Sequence, residues 1–384
     1  MRRTVYNEDH ESFRRMLRDF IEKEVVPVHD EWEEQGHPPR EFYHRLGELG
    51  ILGTQVPEEY GGGGESSFKY AAVVIEETAR AGVSFGSYSV HANLMLPYLM
   101  KGTEEQKKRW LPGFASGEMM TAIAMTEPGT GSDLANIQTK AVLSDDGSHY
   151  ILNGAKTFIT GGALADRILV VCRTSPYDPD NRRAGLSILA VDTTSEGFTV
   201  GKKLKKIGLK ASDTAELSFQ DVKVPVEDLL GEEGEGFRYL GGNLPQERLT
   251  IALGGAASAE AAIRFTTEYV RQRQVFGQPV AAFQNTKFVL AECSTEAMAA
   301  RLVADEALEA LDAGELSVAD AARAKLFCTE VAGRVIDKCV QLHGGYGYIW
   351  EYPIARLYAD TRVSRIYGGT SEVMKTIISK DLGL

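Results

Sequence analysis

The chain has 384 residues, 43% of them apolar, which is enough for two or three domains with cores of their own. A formal charge of −12 opposes binding to a nucleic-acid backbone, whose phosphates must be neutralised by basic residues. No apolar run is long enough to span a bilayer, and the segment Met1 to Asp9 has two arginines but no hydrophobic stretch. The expectation is therefore a cytoplasmic protein or the mature form of an organellar one, with no membrane insertion.

From Asp9 to about Gly117 apolar residues recur at helical spacing, as in Phe13, Leu17, Phe20, Ile21 and Val25, until Pro27 interrupts them. Further helices are predicted to start near Arg40, Ser66 and Ser87, with Gly61 to Gly64 as a loop. Thr103-Glu104-Glu105-Gln106 has the form of a capping box. Between about Glu118 and Gly236 the pattern changes to short aliphatic and β-branched runs: Thr139–Leu143, Tyr150–Leu152, Ile168–Arg173, Leu186–Val191 and Ala215–Phe219. Turn signals such as Asp146-Gly147 and Asn153-Gly154 separate them. Helices return after Phe237, over Pro245 to Arg271, Gln284 to Leu311 and Ser317 to Leu342, with short ones after Pro353 and Ser371. The predicted class is α+β: an N-terminal α-helical domain (1–117), a central antiparallel β domain (118–236) and a C-terminal α-helical bundle (237–384).

Several chemistries are disfavoured by the same residues. Gly129-Thr130-Gly131 and Gly234-Glu235-Gly236 lack the third glycine and the strand-to-helix setting of a dinucleotide-binding turn, and no phosphate-binding P-loop is present. Gly82-Val83-Ser84-Phe85-Gly86 has the spacing of a hydrolase elbow, but the residues before Ser84 are helical in pattern. The seven histidines form no His-x-x-x-His pair, and Cys172, Cys293, Cys328 and Cys339 read as buried free thiols, so no metal site is expected. Lys202-Lys203-Leu204-Lys205-Lys206 reads as a solvated loop or strand edge.

Four segments point elsewhere: Thr126-Glu127-Pro128-Gly129-Thr130-Gly131-Ser132-Asp133, Asn153-Gly154-Ala155-Lys156-Thr157-Phe158-Ile159-Thr160-Gly161, Arg273-Gln274-Val275-Phe276-Gly277 and Gln341-Leu342-His343-Gly344-Gly345-Tyr346-Gly347. In this order, and over nearly the whole chain, they resemble signatures of the acyl-CoA dehydrogenases, above all the long-chain branch. The resemblance implies FAD as cofactor, an acyl-CoA substrate, an electron-transferring flavoprotein as acceptor and a homotetramer, working in fatty acid β-oxidation.

It also implies roles for particular residues. Met125 to Ser132 would hug the flavin, Gly131 included, with Thr126 on its pyrimidine side and Ser132 near the CoA pyrophosphate or thioester portion. Phe158 would cover one face of the ring, where many relatives have tryptophan, and Thr160 would reach the N5 side. Arg273, Phe276, Gln284, Gln341 and Gly345 would hold the ADP half of a neighbouring subunit's FAD; Val275 stands where relatives often carry a hydroxyl. Thr370 and Glu372 would contact the subunit's own FAD. Arg248 and Tyr367 would face the substrate, and Gly86, Ser87 and Val90 would line the floor of the acyl channel.

Desaturation of a thioester needs a base at the α-carbon and a hydride acceptor at the β-carbon. Most family members place the basic glutamate where this chain has Gly368, within Arg365-Ile366-Tyr367-Gly368-Gly369-Thr370-Ser371-Glu372. Some branches carry it near the start of an earlier helix, and Pro245-Gln246-Glu247-Arg248-Leu249 supplies Glu247 there. Glu247 is thus the expected base and Gly368 the expected backbone N–H donor to the thioester oxygen. Glu372 is the competing carboxylate. A short branched-chain, isovaleryl-type enzyme is the alternative, and a flavin-binding member that has lost turnover is a second.

Overall fold

The computed structural model describes residues 3–384. Asn7 accepts a hydrogen bond from the His10 N–H and starts helix α1 (Glu8–Phe20), which buries Leu17 and Phe20 and ends through a π-helical turn, Ile21–Val25, just before Pro27. Next come α2 (His29–Gln35), α3 (Arg40–Glu48), α4 (Lys69–Ala81), α5 (Leu96–Leu99) and α6 (Glu104–Ser116). Both bonds of the Thr103/Gln106 capping box form. Helix α2 was hidden from the sequence pattern because only His29 and Trp32 of its seven residues are buried.

The central sheet has seven strands: β1 (Thr121–Ala124), β2 (Lys140–Leu143), β3 (His149–Thr160), β4 (Arg167–Arg173), β5 (Leu186–Asp192), β6 (Phe198–Lys203) and β7 (Thr214–Pro225). Their order is β1-β4-β2-β3-β7-β6, with β5 also on β4. The pairing is mainly antiparallel. One correction concerns β4, which β1 and β2 both join in parallel (Thr121 opposite Arg167, Lys140 opposite Arg173), because the connection after Ala124 starts β2 in the same direction as β1. Strands β1 and β6 escaped prediction: the first is a four-residue Ala-rich run, and the second is exposed along nearly its whole length. The exposed Lys202 and Lys203 lie on edge strand β6, as expected of a solvated strand edge.

The last third is a bundle of α7 (Gly236–Gln272), α8 (Gln284–Asp312) and α9 (Val318–His343), with α10 (Pro353–Thr361) and α11 (Ser371–Asp381) against it. Alanines 256, 259, 300, 304, 324 and 332 form its core, so the helices approach closely. At Gly255 a Cβ would lie 3.0 Å from the Cys328 carbonyl oxygen, so even a methyl would crowd the helix contact. Between α7 and α8 a two-residue hairpin, β8 (Gln274–Val275) and β9 (Gln278–Pro279), turns at Phe276 and Gly277, both at positive φ (51° and 78°). The helix predicted from Pro245 begins nine residues earlier, at Gly236. Burial of Tyr239 and Leu240 compensates for the glycines and for Pro245, which leaves the Gly241 carbonyl without its helical N–H partner. All four cysteines are buried and free.

Candidate active site

Helix α7 carries Glu247 about three turns inside its N-terminus, so a carboxylate favoured by the dipole of a first turn is not what stands here. Asn243, Glu247 and Ile251 share one face of the helix. Glu247 is only 6% exposed, and its Oε1 accepts a 2.8 Å hydrogen bond from the fully buried Tyr98 hydroxyl of α5. Burial pushes the Glu247 pKa up; the Tyr98 bond and the Arg248 charge only partly offset it. Arg248 is 4% exposed, and neither its Nε nor its Nη1 has a partner; the same is true of Asn243 Nδ2. Buried donors beside one carboxylate can meet a polar ligand.

Gly368 has φ +62° and Gly369 φ +92°, conformations that favour glycine. A Cβ on Gly368 would fall on Ile251 Cδ1, one turn beyond Glu247, and 3.6 Å from Lys325 Cε. The vacant glutamate position and Glu247 therefore adjoin the same patch of α7. Lys325, on α9, is 1% exposed and donates to the Gly369 carbonyl. Tyr367 is half exposed beside this turn. Glu372 lies on the exposed first turn of α11, where Thr370 caps the helix by accepting from the Val373 N–H.

The loop from Met125 to Ser132 is tied to β3 by a buried ion pair. Lys156 Nζ donates to Glu127 Oε1 (2.9 Å) and to the Met125 carbonyl (2.9 Å), and Glu127 also accepts from the backbone N–H groups of Gln138 and Thr139. The Thr157 N–H donates to the Thr126 carbonyl (2.9 Å). This holds Thr126 alongside Phe158, which sits in a bulge of β3 at φ +59° with 67% of its surface open. A strained, exposed aromatic ring at this point suits a flavin face. Thr160 follows two residues on, paired with Thr214 of β7. Gly131 and Ser132 are exposed at the loop's far end.

At the other end of α7 a cleft of about 500 Å³ is lined by Tyr269, Arg273, Gln341, Gly345 and Tyr346. The Arg273 guanidinium lies 5.3 Å from the centre of the Tyr346 ring, and the space beside Gly345 is open. Phe276 is 95% exposed at the hairpin turn, and Gln284 is exposed at the start of α8. An arginine, a glutamine and open glycine backbone fit a pyrophosphate and its nucleoside. At a rise of 1.5 Å per residue, Arg273 lies about 39 Å along α7 from Glu247. The two groups do not meet within one subunit.

The presumed channel floor is more filled than small residues suggest. A Cβ at Gly86 would meet Pro38 Cδ and the Tyr43 hydroxyl, both at 2.5 Å, and Ser87 is 2% exposed with its Oγ 3.1 Å from that hydroxyl. Val90 is half buried on the π-helical segment Ser89–Met95. Ser84 follows helix α4 rather than a strand, which removes the hydrolase elbow. His29, Asp30 and Glu33 bring donor atoms within 4.8 Å of one another, but Asp30 and Glu33 already accept from Arg356 and Trp350. Among the described residues, no helix is long and apolar enough to cross a membrane.

Sequence reasoning missed Tyr98, Lys325 and the roles of Glu127 and Lys156. Nothing local marks Tyr98, 149 positions from Glu247. Lys325 could have been found, since helical spacing puts it on the same stripe as Ala321, Cys328 and Thr329.

The family models for the acyl-CoA dehydrogenase N-terminal, middle and C-terminal domains match residues 7–118, 122–222 and 234–383. The chain is 44% identical to the mitochondrial long-chain specific acyl-CoA dehydrogenase of Sus scrofa over 99% of its own length and 88% of that protein. An acyl-CoA dehydrogenase structure from Geobacillus kaustophilus superposes with a TM-score of 0.95 at 48% identity, covering 99% of both chains. An acyl-CoA dehydrogenase from Bacillus anthracis complexed with FAD superposes at 0.90, 32% identical, over 100% of this chain and 69% of that one. With all three domain models matched and relatives alike over 99% of its length, the chain belongs to the acyl-CoA dehydrogenases, FAD-dependent oxidoreductases acting on CH–CH donors.

Proposed function

We propose that this enzyme desaturates a medium-to-long-chain fatty acyl-CoA to the trans-2-enoyl-CoA, with Glu247 as base. The observation that carries the proposal is the buried Glu247 carboxylate, one turn before the isoleucine that covers Gly368. An α-proton next to a thioester is a weak acid, and a carboxylate whose pKa is raised by burial is better matched to it. The Gly368 N–H donates to the thioester oxygen as negative charge develops there, and the unpartnered donors of Arg248 and Asn243 orient the ligand. FAD, when bound against Phe158 and the Met125–Ser132 loop, supplies the acceptor for the β-hydride. Glu372 is the poorer base, because it is exposed on a helix end.

Electrons then leave to an electron-transferring flavoprotein. The separation of about 39 Å along α7 supports sharing of Arg273, Phe276, Gln284, Gln341 and Gly345 with a neighbouring subunit's FAD, in a homotetramer. The likeness to the Sus scrofa enzyme favours a long acyl chain over a short branched one. The division into domains at 1–117, 118–236 and 237–384 is part of the same proposal.

Exchange of α-hydrogens into D2O tests the base. A saturated acyl-CoA analogue that cannot lose a β-hydride should exchange in the wild type, about 10²–10⁴ times faster than in Glu247→Gln. Equal rates would remove Glu247 from the role.

A further inference from the structure

The two most deeply buried lysines of this chain are held differently. Lys156 has a carboxylate partner in Glu127. Lys325 has none among the described residues; its ammonium donates to the Gly369 carbonyl, and its Cε lies 3.6 Å from where a side chain at Gly368 would begin. The charge that acts on it is another cation, Arg248, which is 4% exposed and has two unpartnered N–H groups. Burial, followed by the Arg248 charge, pushes the Lys325 pKa down to about 8, which leaves it mostly protonated at neutral pH. Among the described residues Glu247 is the one anion that offsets Arg248 and none offsets Lys325, so one buried positive charge is left over beside the Gly368–Gly369 turn. Buried charge without a counter-charge is costly, and proteins keep it where a ligand completes it.

We infer that Lys325 is a positioning residue for the reaction: its ammonium fixes the Gly368–Gly369 turn and, with Arg248, holds a positive field that is neutralised by the negative charge developing on the substrate thioester. The inference rests on the acyl-thioester site proposed above. Charge of this kind is felt more by the enolate-like transition state than by the neutral ground state, so it acts on the rate more than on binding.

The test uses the FAD-loaded enzyme and two probes. The first is a 3-oxoacyl-CoA, whose α-proton is acidic enough to be lost without a base and whose enolate is read by ultraviolet absorbance. The pH at which it half-ionises when bound should rise by about one unit, a tenfold loss of acidity, in Lys325→Met and in Lys325→Gln, and stay near the wild-type value in Lys325→Arg. The second is anaerobic flavin reduction by a saturated acyl-CoA, which should slow about 10²-fold in Lys325→Met with little change in Kd. Lys325→Gln keeps a donor to Gly369 without the charge; if it ionises the probe as the wild type does, the field is not what Lys325 supplies. Unchanged ionisation in all variants overturns the inference even if the rates fall, because a merely structural defect slows turnover without moving the ligand's acidity. A shift in the Lys325 variants together with unimpaired α-exchange in Glu247→Gln would instead retain Lys325 and discard Glu247.

Discussion

The δ-methyl of Ile251 occupies the space into which any side chain at Gly368 would project. The packing at 368 is therefore consistent with the proposal that the base stands at Glu247 instead. A glutamate at 368 would meet Ile251 and would have to adopt φ +62°. Gly368→Glu should destabilise the enzyme by about 1–3 kcal/mol. It should fail to restore turnover to Glu247→Gln unless Ile251 is also cut back to alanine. Denaturant midpoints of the single, double and triple variants check this.

Tyr98 lowers the Glu247 pKa against the upward push of burial. The base must be ionised, so kcat/KM should fall as pH drops through a pKa above the ordinary carboxylate range. Tyr98→Phe removes the one side-chain hydrogen bond to this carboxylate among the described residues and should move the acid limb of the profile to higher pH. A limb that stays in place would mean that Glu247 does not control it.

Lys156 and Glu127 are both less than 10% exposed, and the pair fastens the Met125–Ser132 loop, the proposed flavin contact, to β3. Lys156→Met would leave a buried carboxylate without its counter-charge, held only by the Gln138 and Thr139 N–H groups, at a cost of about 3–5 kcal/mol. The expected result is a lower thermal midpoint together with loss of bound FAD on gel filtration. Phe158→Ala should weaken FAD retention while leaving the midpoint of the apoprotein nearly unchanged, since Phe158 is largely open to solvent.

Glu76 ties the first described residues to the bundle, accepting from Arg3, Tyr6, Arg14 and Arg301. Burial would raise its pKa, but the Arg3 hydrogen bonds and the charges of Arg301, Arg3 and Arg14 bring it down to about 2. A depressed carboxylate stabilises the fold above its unfolded pKa, near 4.5, and loses that contribution as pH falls toward 2. The contribution is on the order of 3 kcal/mol at neutral pH. Urea titrations should show the wild type losing stability over that window faster than Glu76→Gln, which begins lower and has no such titration to lose.

Much of the architecture was legible because strong local signals agree with the final packing. The Thr103 capping box, Ser317 at the start of α9 and the β-branched runs of β4 and β5 fall where their sequences place them. The start of α7 was not, because Gly241, Gly242 and Pro245 read as a break, and only the burial of Tyr239 and Leu240 beneath the sheet overrides them. Motifs pointed to the Met125–Ser132 loop and to Arg273, which the structure places beside Phe158 and in a cleft. The partners that tune the site could not, since Tyr98 and Lys325 come from helices far away in sequence. Gly86 shows the opposite error: its small size reflects contact with Pro38 and Tyr43, not an empty channel.

The most direct test of the central claim is anaerobic bleaching of the flavin absorbance by a C16 acyl-CoA, in wild type and Glu247→Gln side by side. The wild type should bleach, and the variant should stay yellow while still binding the ligand. Equal bleaching of the two would show that another group takes the α-proton and that Glu247 is not the base.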